Sequence, residues 1–329
     1  MRVIICLIFL TSTYTYGQEI KLLTSASKTS IRGLSVVNDK IIWVSGSGGT
    51  VGRSLNNGTT WKWFLIKGFE KIDFRDIEAF DATTAVIMAI DEPAYILKTI
   101  DGGETWKQVY ENKTKGMFLD AMEFWNEQSG IAIGDPINNK FFIIRTFDGG
   151  NTWREIPAQN LPKADSGEAC FASSGTNIRN LANDEACFVS GGLSAHLFIR
   201  NMKYVVPIDQ GKQTTGANSV AVKNKHTLIV VGGDFTKPDS AAKVCAMTFD
   251  GGKTWKFPKV SPHGYRSCVE YLGKNKWICC GLNGVDYSTD NGNTWLWISK
   301  ESYHVCRKVR NRNTVFFAGN NRRIGKLDY

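Results

Sequence analysis

An eight-residue pattern recurs along the chain and narrows what it can fold into. "TIDGGETW" at 99–106, "TFDGGNTW" at 146–153 and "TFDGGKTW" at 248–255 are near copies, and "SLNNGTTW" at 54–61 and "STDNGNTW" at 288–295 share their grammar. All five read Ser/Thr, any, Asp/Asn, any, Gly, any, Thr, Trp. The closing residues Trp61, Trp106, Trp153, Trp255 and Trp295 are spaced by 45, 47, 102 and 40 positions. The long gap is two periods, which puts a degenerate copy near "FIRNMKYVV" at 198–206. A period of about 40–50 residues, each holding several short strands, is the mark of a β-propeller.

Each period follows one order: an apolar run such as "FRDIEAF", a second such as "TAVIMAI", a third such as "AYILKT" leading into the octapeptide, and a fourth such as "TWKQVY" leaving it. That is one four-stranded antiparallel blade. First strands are expected near 31–37, 74–80, 118–124, 168–174, 217–223, 265–271 and 303–309. The last unit lacks an octapeptide and a fourth strand, while "QEIKLLTS" at 18–25 is left over at the start. The expectation is an all-β, seven-bladed β-propeller over 18–329, its ring closed by the N- and C-terminal segments.

The residue types explain the octapeptide as a hairpin turn between third and fourth strands. Asn56, Asp101, Asp148, Asp250 and Asp290 supply a carboxylate or amide oxygen to accept backbone N–H groups of their own turn. The following Gly allows positive φ, and Trp brings a large apolar face to a neighbouring sheet. The motif belongs at the outer rim and reads as structural. It lacks the ligand array of an EF-hand loop.

These octapeptides resemble the Asp-box, or BNR, repeat of sialidases, sortilin-type receptors and related propellers. The whole chain after the first residues is similar to exported bacterial propellers of the photosystem II stability/assembly factor type. The resemblance implies a seven-bladed ring with structural Asp boxes. Some such relatives carry an oxidoreductase label, but no phosphate-cradling fingerprint is present; "GSGG" at 46–49 is not followed by a helix. No cofactor is expected. A sialidase would need an arginine triad, a tyrosine with a glutamate, and an aspartate acid. Arg32, Arg75, Arg266 and Tyr265 are available, but the Arg-Ile-Pro signature is absent and the Tyr/Glu spacing does not match.

The first residues, "MRVIICLIFLTSTYTYGQ", have a basic start, a short apolar run and a small-residue end. They read as a secretory signal peptide over 1–17, giving a secreted or periplasmic product. No other segment is apolar enough to span a membrane. The net charge of +9 suits either solubility or an acidic partner, and no Lys/Arg block is dense enough to suggest nucleic acid. Seven cysteines remain beyond the leader: Cys170, Cys187, Cys245, Cys268, Cys279, Cys280 and Cys306. No zinc-type spacing is present, so no metal site is expected. Cys268 faces Cys280 across an expected hairpin, compatible with a disulfide or with buried thiols.

In a propeller, function belongs at a mouth of the central channel, built from the starts of the inner strands and the loops between second and third strands. Those positions hold Arg32, Arg75, Asp76, Asp120, Glu168, Ser219, Arg266 and His304, with Asp91, Glu92, Asp135, Ser194 and Asp234 from the loops. Arg32, Arg75, Asp76, Asp120, Arg266 and His304 are the candidate ligand-binding set, the arginines suiting a carboxylate or phosphate. Asp135, Glu168 and Asp234 are the candidate catalytic carboxylates for a glycan-active hydrolase or lyase. Two readings stand: a module binding a protein segment or glycan, and a glycan-active enzyme. The fold alone does not decide between them.

Overall fold

The computed structural model describes residues 19–25, 27–181 and 185–329; the expected signal peptide lies outside them. Seven sheets follow one another around a ring. Blade 1 runs Ile31–Val36, Ile42–Gly46, Thr50–Ser54, Lys62–Leu65, each strand antiparallel to the next. Blade 2 starts at Phe74–Ala79, blade 3 at Leu119–Phe124, blade 5 at Ala217–Val222, blade 6 at Cys268–Gly273 and blade 7 at Val305–Lys308. These inner strands pack against one another in sequence, and Ile31–Val36 also packs on Val305–Lys308, which closes the ring.

The outermost strand of blade 7 is Lys21–Thr24, paired antiparallel with Ile324–Asp328. The leftover N-terminal segment thus supplies the strand the last unit lacks. Blade 5 keeps three strands; its fourth is reduced to a bridge between Met247 and Lys256. Pro258, two residues on, has no N–H to continue the ladder.

One expectation is corrected. The inner strand of blade 4 is Ile178–Asn180, not 168–174. Glu168–Ala169 instead pairs with Gly191–Gly192 in a separate two-stranded ladder. Residues 170–177 then leave sheet pairing and enter the channel. Arg32 of blade 1 donates to Ser173 O (3.1 Å), and Arg307 of blade 7 donates to Gly175 O (3.4 Å). Ser174 Oγ donates to Ser267 O beside blade 6 (2.7 Å), and Thr176 Oγ1 donates to Ser219 Oγ of blade 5 (2.6 Å). Short hydroxyl side chains let this stretch bond to several blades, while the buried Asn177 amide finds no partner among the described residues. It is a plug across the axis.

The octapeptides form the expected hairpins. In the blade 2 copy, Thr105 N–H and Oγ1 donate to the Asp101 carboxylate at 3.0 and 2.5 Å. Gly103 N–H donates to Thr99 Oγ1 at 3.0 Å, and Gly103 adopts φ +91°. The copies at Asp148 and Asp250 repeat these bonds. Trp106 and Trp255 pack partly buried against apolar clusters between blades, and Trp153 and Trp295 are buried in theirs. Trp61 flanks the cluster joining blades 6, 7 and 1. In blade 4 the motif is gone, and the hairpin between His196–Ile199 and Met202–Val205 turns through Arg200 with φ +52°.

Candidate functional site

The plug divides the channel into two mouths. The first opens at the starts of the inner strands and holds a cavity of about 400 Å³. Arg32 and Arg75 reach it from inner strands, Asp135 from the second strand of blade 3, and His304 from just before blade 7. Phe171 of the plug, Phe235 and Tyr265 form an edge-to-face aromatic wall, with centroids 6.1 and 6.4 Å apart in turn. Phe235 is 39% exposed at the rim. An apolar lining with a few convergent polar groups is the usual make-up of a ligand pocket.

The charges are arranged asymmetrically. Arg75 bonds Asp73 through Nε at 2.9 Å; its two Nη groups make no protein hydrogen bond among the described residues. Burial and the neighbouring Arg75 charge lower the Arg32 guanidinium. His304 is fully buried, with Nδ1 3.1 Å from Ile31 O. A carbonyl only accepts, so Nδ1 carries the proton. Burial and the two arginines push His304 down to about 3, leaving a neutral ring whose Nε2 is buried without a hydrogen-bond partner. Asp135 accepts Cys170 N–H at 2.9 Å, and burial raises it to about 6. Asp120 lies buried nearby, and burial and Asp135 push it well above the carboxylate range. The pocket therefore offers guanidinium donors, an imidazole neighbour and an Asp that titrates near neutrality.

The other candidates lie elsewhere. Asp76 is fully buried, accepts Met122 N–H at 2.7 Å and Ile77 N–H at 2.9 Å, and is raised by burial to about 7. It ties blade 2 to blade 3. Arg266 is fully buried, its Nε 2.7 Å from Asp286 Oδ2 and its Nη1 2.8 Å from Tyr265 O. Its donors are spent inside blade 6. Glu168 accepts from His196 Nδ1 (2.9 Å), Lys203 Nζ (3.0 Å) and Asp165 N–H (2.7 Å), outside the pocket. Asp234 accepts from Thr236 N–H (3.0 Å) and Oγ1 (2.6 Å), also outside it. Of the three candidate catalytic carboxylates, only Asp135 lines the cavity.

The second mouth, at the far ends of the inner strands, holds residues the sequence reading passed over. Glu78, Glu123, Glu270, Arg179 and Arg307 line a cavity of about 270 Å³. Arg179 pairs with Glu123 at 3.2 Å and with Glu270 at 3.5 Å. Glu78, Glu123, Glu270 and Arg307 stand near the far ends of expected inner strands, whereas Arg179 lies beyond the strand expected for blade 4 at 168–174. Here the charges largely neutralise one another.

The fold and both mouths define the molecule as a seven-bladed β-propeller with a plugged channel. No protein-family model matches the chain, and no curated protein matches it. Solved structures do. "YCF48 bound to D1 peptide" matches with TM-score 0.67 at 15% identity, over 96% of each chain. YCF48 from Cyanidioschyzon merolae matches with TM-score 0.66 at 12% identity, over 94% of this chain and 98% of that one. The WD40 propeller domain of Doa1 matches with TM-score 0.64 at 10% identity, over 95% and 97%. Neighbours of the photosystem II assembly factor kind agree with the resemblance read from the chain as a whole.

Proposed function

We propose that the chain is an exported binding propeller that holds a segment of another protein in the pocket bearing Arg32 and Arg75. The carrying observation is the pairing of an aromatic wall with two converging guanidiniums in one preformed cavity. A peptide presents apolar side chains and a carboxylate within a few ångströms. The wall suits the former, and the Nη donors suit the latter by charge-assisted bonds. The plug makes the cavity a closed-bottomed cup instead of a through-channel. A solved propeller of similar fold carries a peptide, which supports this choice of ligand class. Export rests on the character of residues 1–17.

The usual glycoside hydrolase site holds two carboxyls across one pocket. Glu168 is committed to His196 and Lys203, and Asp234 to Thr236, so Asp135 has neither as a partner.

The test is calorimetric titration with a peptide library, each sequence made with a free and an amidated C-terminus and with acidic or neutral side chains. Saturable binding is expected, weakened about tenfold or more in Arg32→Ala/Arg75→Ala. Arg179→Ala, on the opposite mouth, is expected to leave it unchanged. Binding indifferent to the double variant overturns the assignment.

A further inference from the structure

Three cysteines from three different strands meet in the dry interface between blades 6 and 7. Cys268 starts the inner strand of blade 6, Cys280 lies in Lys276–Gly281 directly opposite it in register, and Cys306 belongs to the inner strand of blade 7. All three are fully buried. Their sulfurs lie within 4.8 Å of one another, with Cys268 Sγ and Cys306 Sγ 3.6 Å apart. Apolar residues, among them Ile31, Leu34 and Phe317, share the cluster.

We propose that Cys268, Cys280 and Cys306 form a closed, three-sulfur site for a soft monovalent cation, Cu(I). A metal–sulfur bond of about 2.3 Å in a trigonal plane puts the sulfurs about 4 Å apart. The cluster reaches that spacing by shifts of less than about an ångström, within side-chain rotation. Thiolates in the absence of harder donors select Cu(I). Structural Zn(II) takes four ligands, and none of the other Cys, His, Asp or Glu side chains among the described residues joins this group.

The surroundings offer the cluster a backbone donor. Cys306 N–H points at Cys268 Sγ at 3.4 Å. Binding is redox-neutral: three S–H bonds break, three Cu–S bonds form and three protons leave. Sequence spacing hid the site, because 268, 280 and 306 form no C-x-x-C pattern and converge only when blade 7 docks on blade 6.

The full chain tests this. Because the sulfurs are sealed, Cu(I) is supplied both during expression and to the reduced, anaerobic protein, in competition with a Cu(I) chelator. One copper per chain is expected, with an X-ray absorption spectrum showing three sulfur neighbours and no nitrogen or oxygen. Cys268→Ser and Cys306→Ser are each expected to weaken retention more than the about 10–100-fold typical of losing an outer-shell partner. Cys187→Ser, in a separate core, is expected to keep it. The wild-type spectrum stands even if a variant fails to fold. The proposal is overturned by no retained copper, by nitrogen or oxygen ligation, by tighter binding of Zn(II), or by isolated protein two hydrogens light through a disulfide among these cysteines.

Discussion

The carboxylate of Asp76 lies so close over Gly175 that a Cβ built on the glycine would meet Oδ1 at 2.3 Å. Gly175 also adopts φ +63°, so any side chain there is both crowded and conformationally strained. Gly175→Ala is expected to lose about 2–4 kcal/mol, combining overpacking with left-handed backbone cost. Urea unfolding followed by tryptophan fluorescence measures it. A loss below 1 kcal/mol would mean that the plug yields easily.

Arg266 at blade 6 and Arg32 in the inner strand of blade 1 do different work. Arg266 is sealed against Asp286, and removing it leaves that buried carboxylate with only the bonds from His263. Arg266→Ala is expected to cost about 3–5 kcal/mol, read as a fall in the denaturation midpoint. Arg32→Ala is expected to act mainly on peptide binding, and a comparable loss of stability in that variant would contradict the division.

Acid should weaken the outer hairpins in a defined window. Hydrogen bonds from Thr105 and Thr254 hold Asp101 and Asp250 down at about 2. An unfolded aspartate titrates at about 3.9. Their contribution is therefore full above about pH 4 and is lost as pH falls towards 2. Stability measured across that range should slope downward with acidification, and the slope should flatten in Asp101→Asn/Asp250→Asn.

Binding at the pocket should have its own pH signature. Asp135, raised by burial to about 6, gains a negative charge beside Arg32 and Arg75 as pH rises through that value. Affinity for a carboxylate-bearing peptide is expected to fall between about pH 5 and 7. Asp135→Asn should remove most of that dependence. His304, held neutral down to about 3, should contribute none of it, so His304→Gln is expected to leave the profile in place.

The repeat made the ring legible because each octapeptide carries its turn locally. Asp101, Gly103, Thr105 and Trp106 interact within one hairpin and its blade interface, so their spacing alone counts blades. Blade 4 escaped because "EACFASSG" has the apolar, β-prone look of an inner strand, while its actual partners are Arg32, Ser267 and Arg307 on distant blades. The pocket was half legible. Arg32, Arg75, Asp135 and His304 follow from strand starts and loops, whereas the Phe171–Phe235–Tyr265 wall depends on where the plug lies. Arg266 shows the limit: one residue of register separates a channel-facing side chain from one buried in its own blade.

The pairing of Lys21–Thr24 with Ile324–Asp328 sets an order of events during synthesis. Among the described residues the strand nearest the N-terminus belongs to the blade whose other strands come last in sequence. Until the C-terminal residues arrive, it has no partner and offers an open edge to any other chain. A product truncated before residue 324 would leave Lys21–Thr24 without this partner and Thr314–Ala318 without its outer neighbour, two open edges at one seam of the ring.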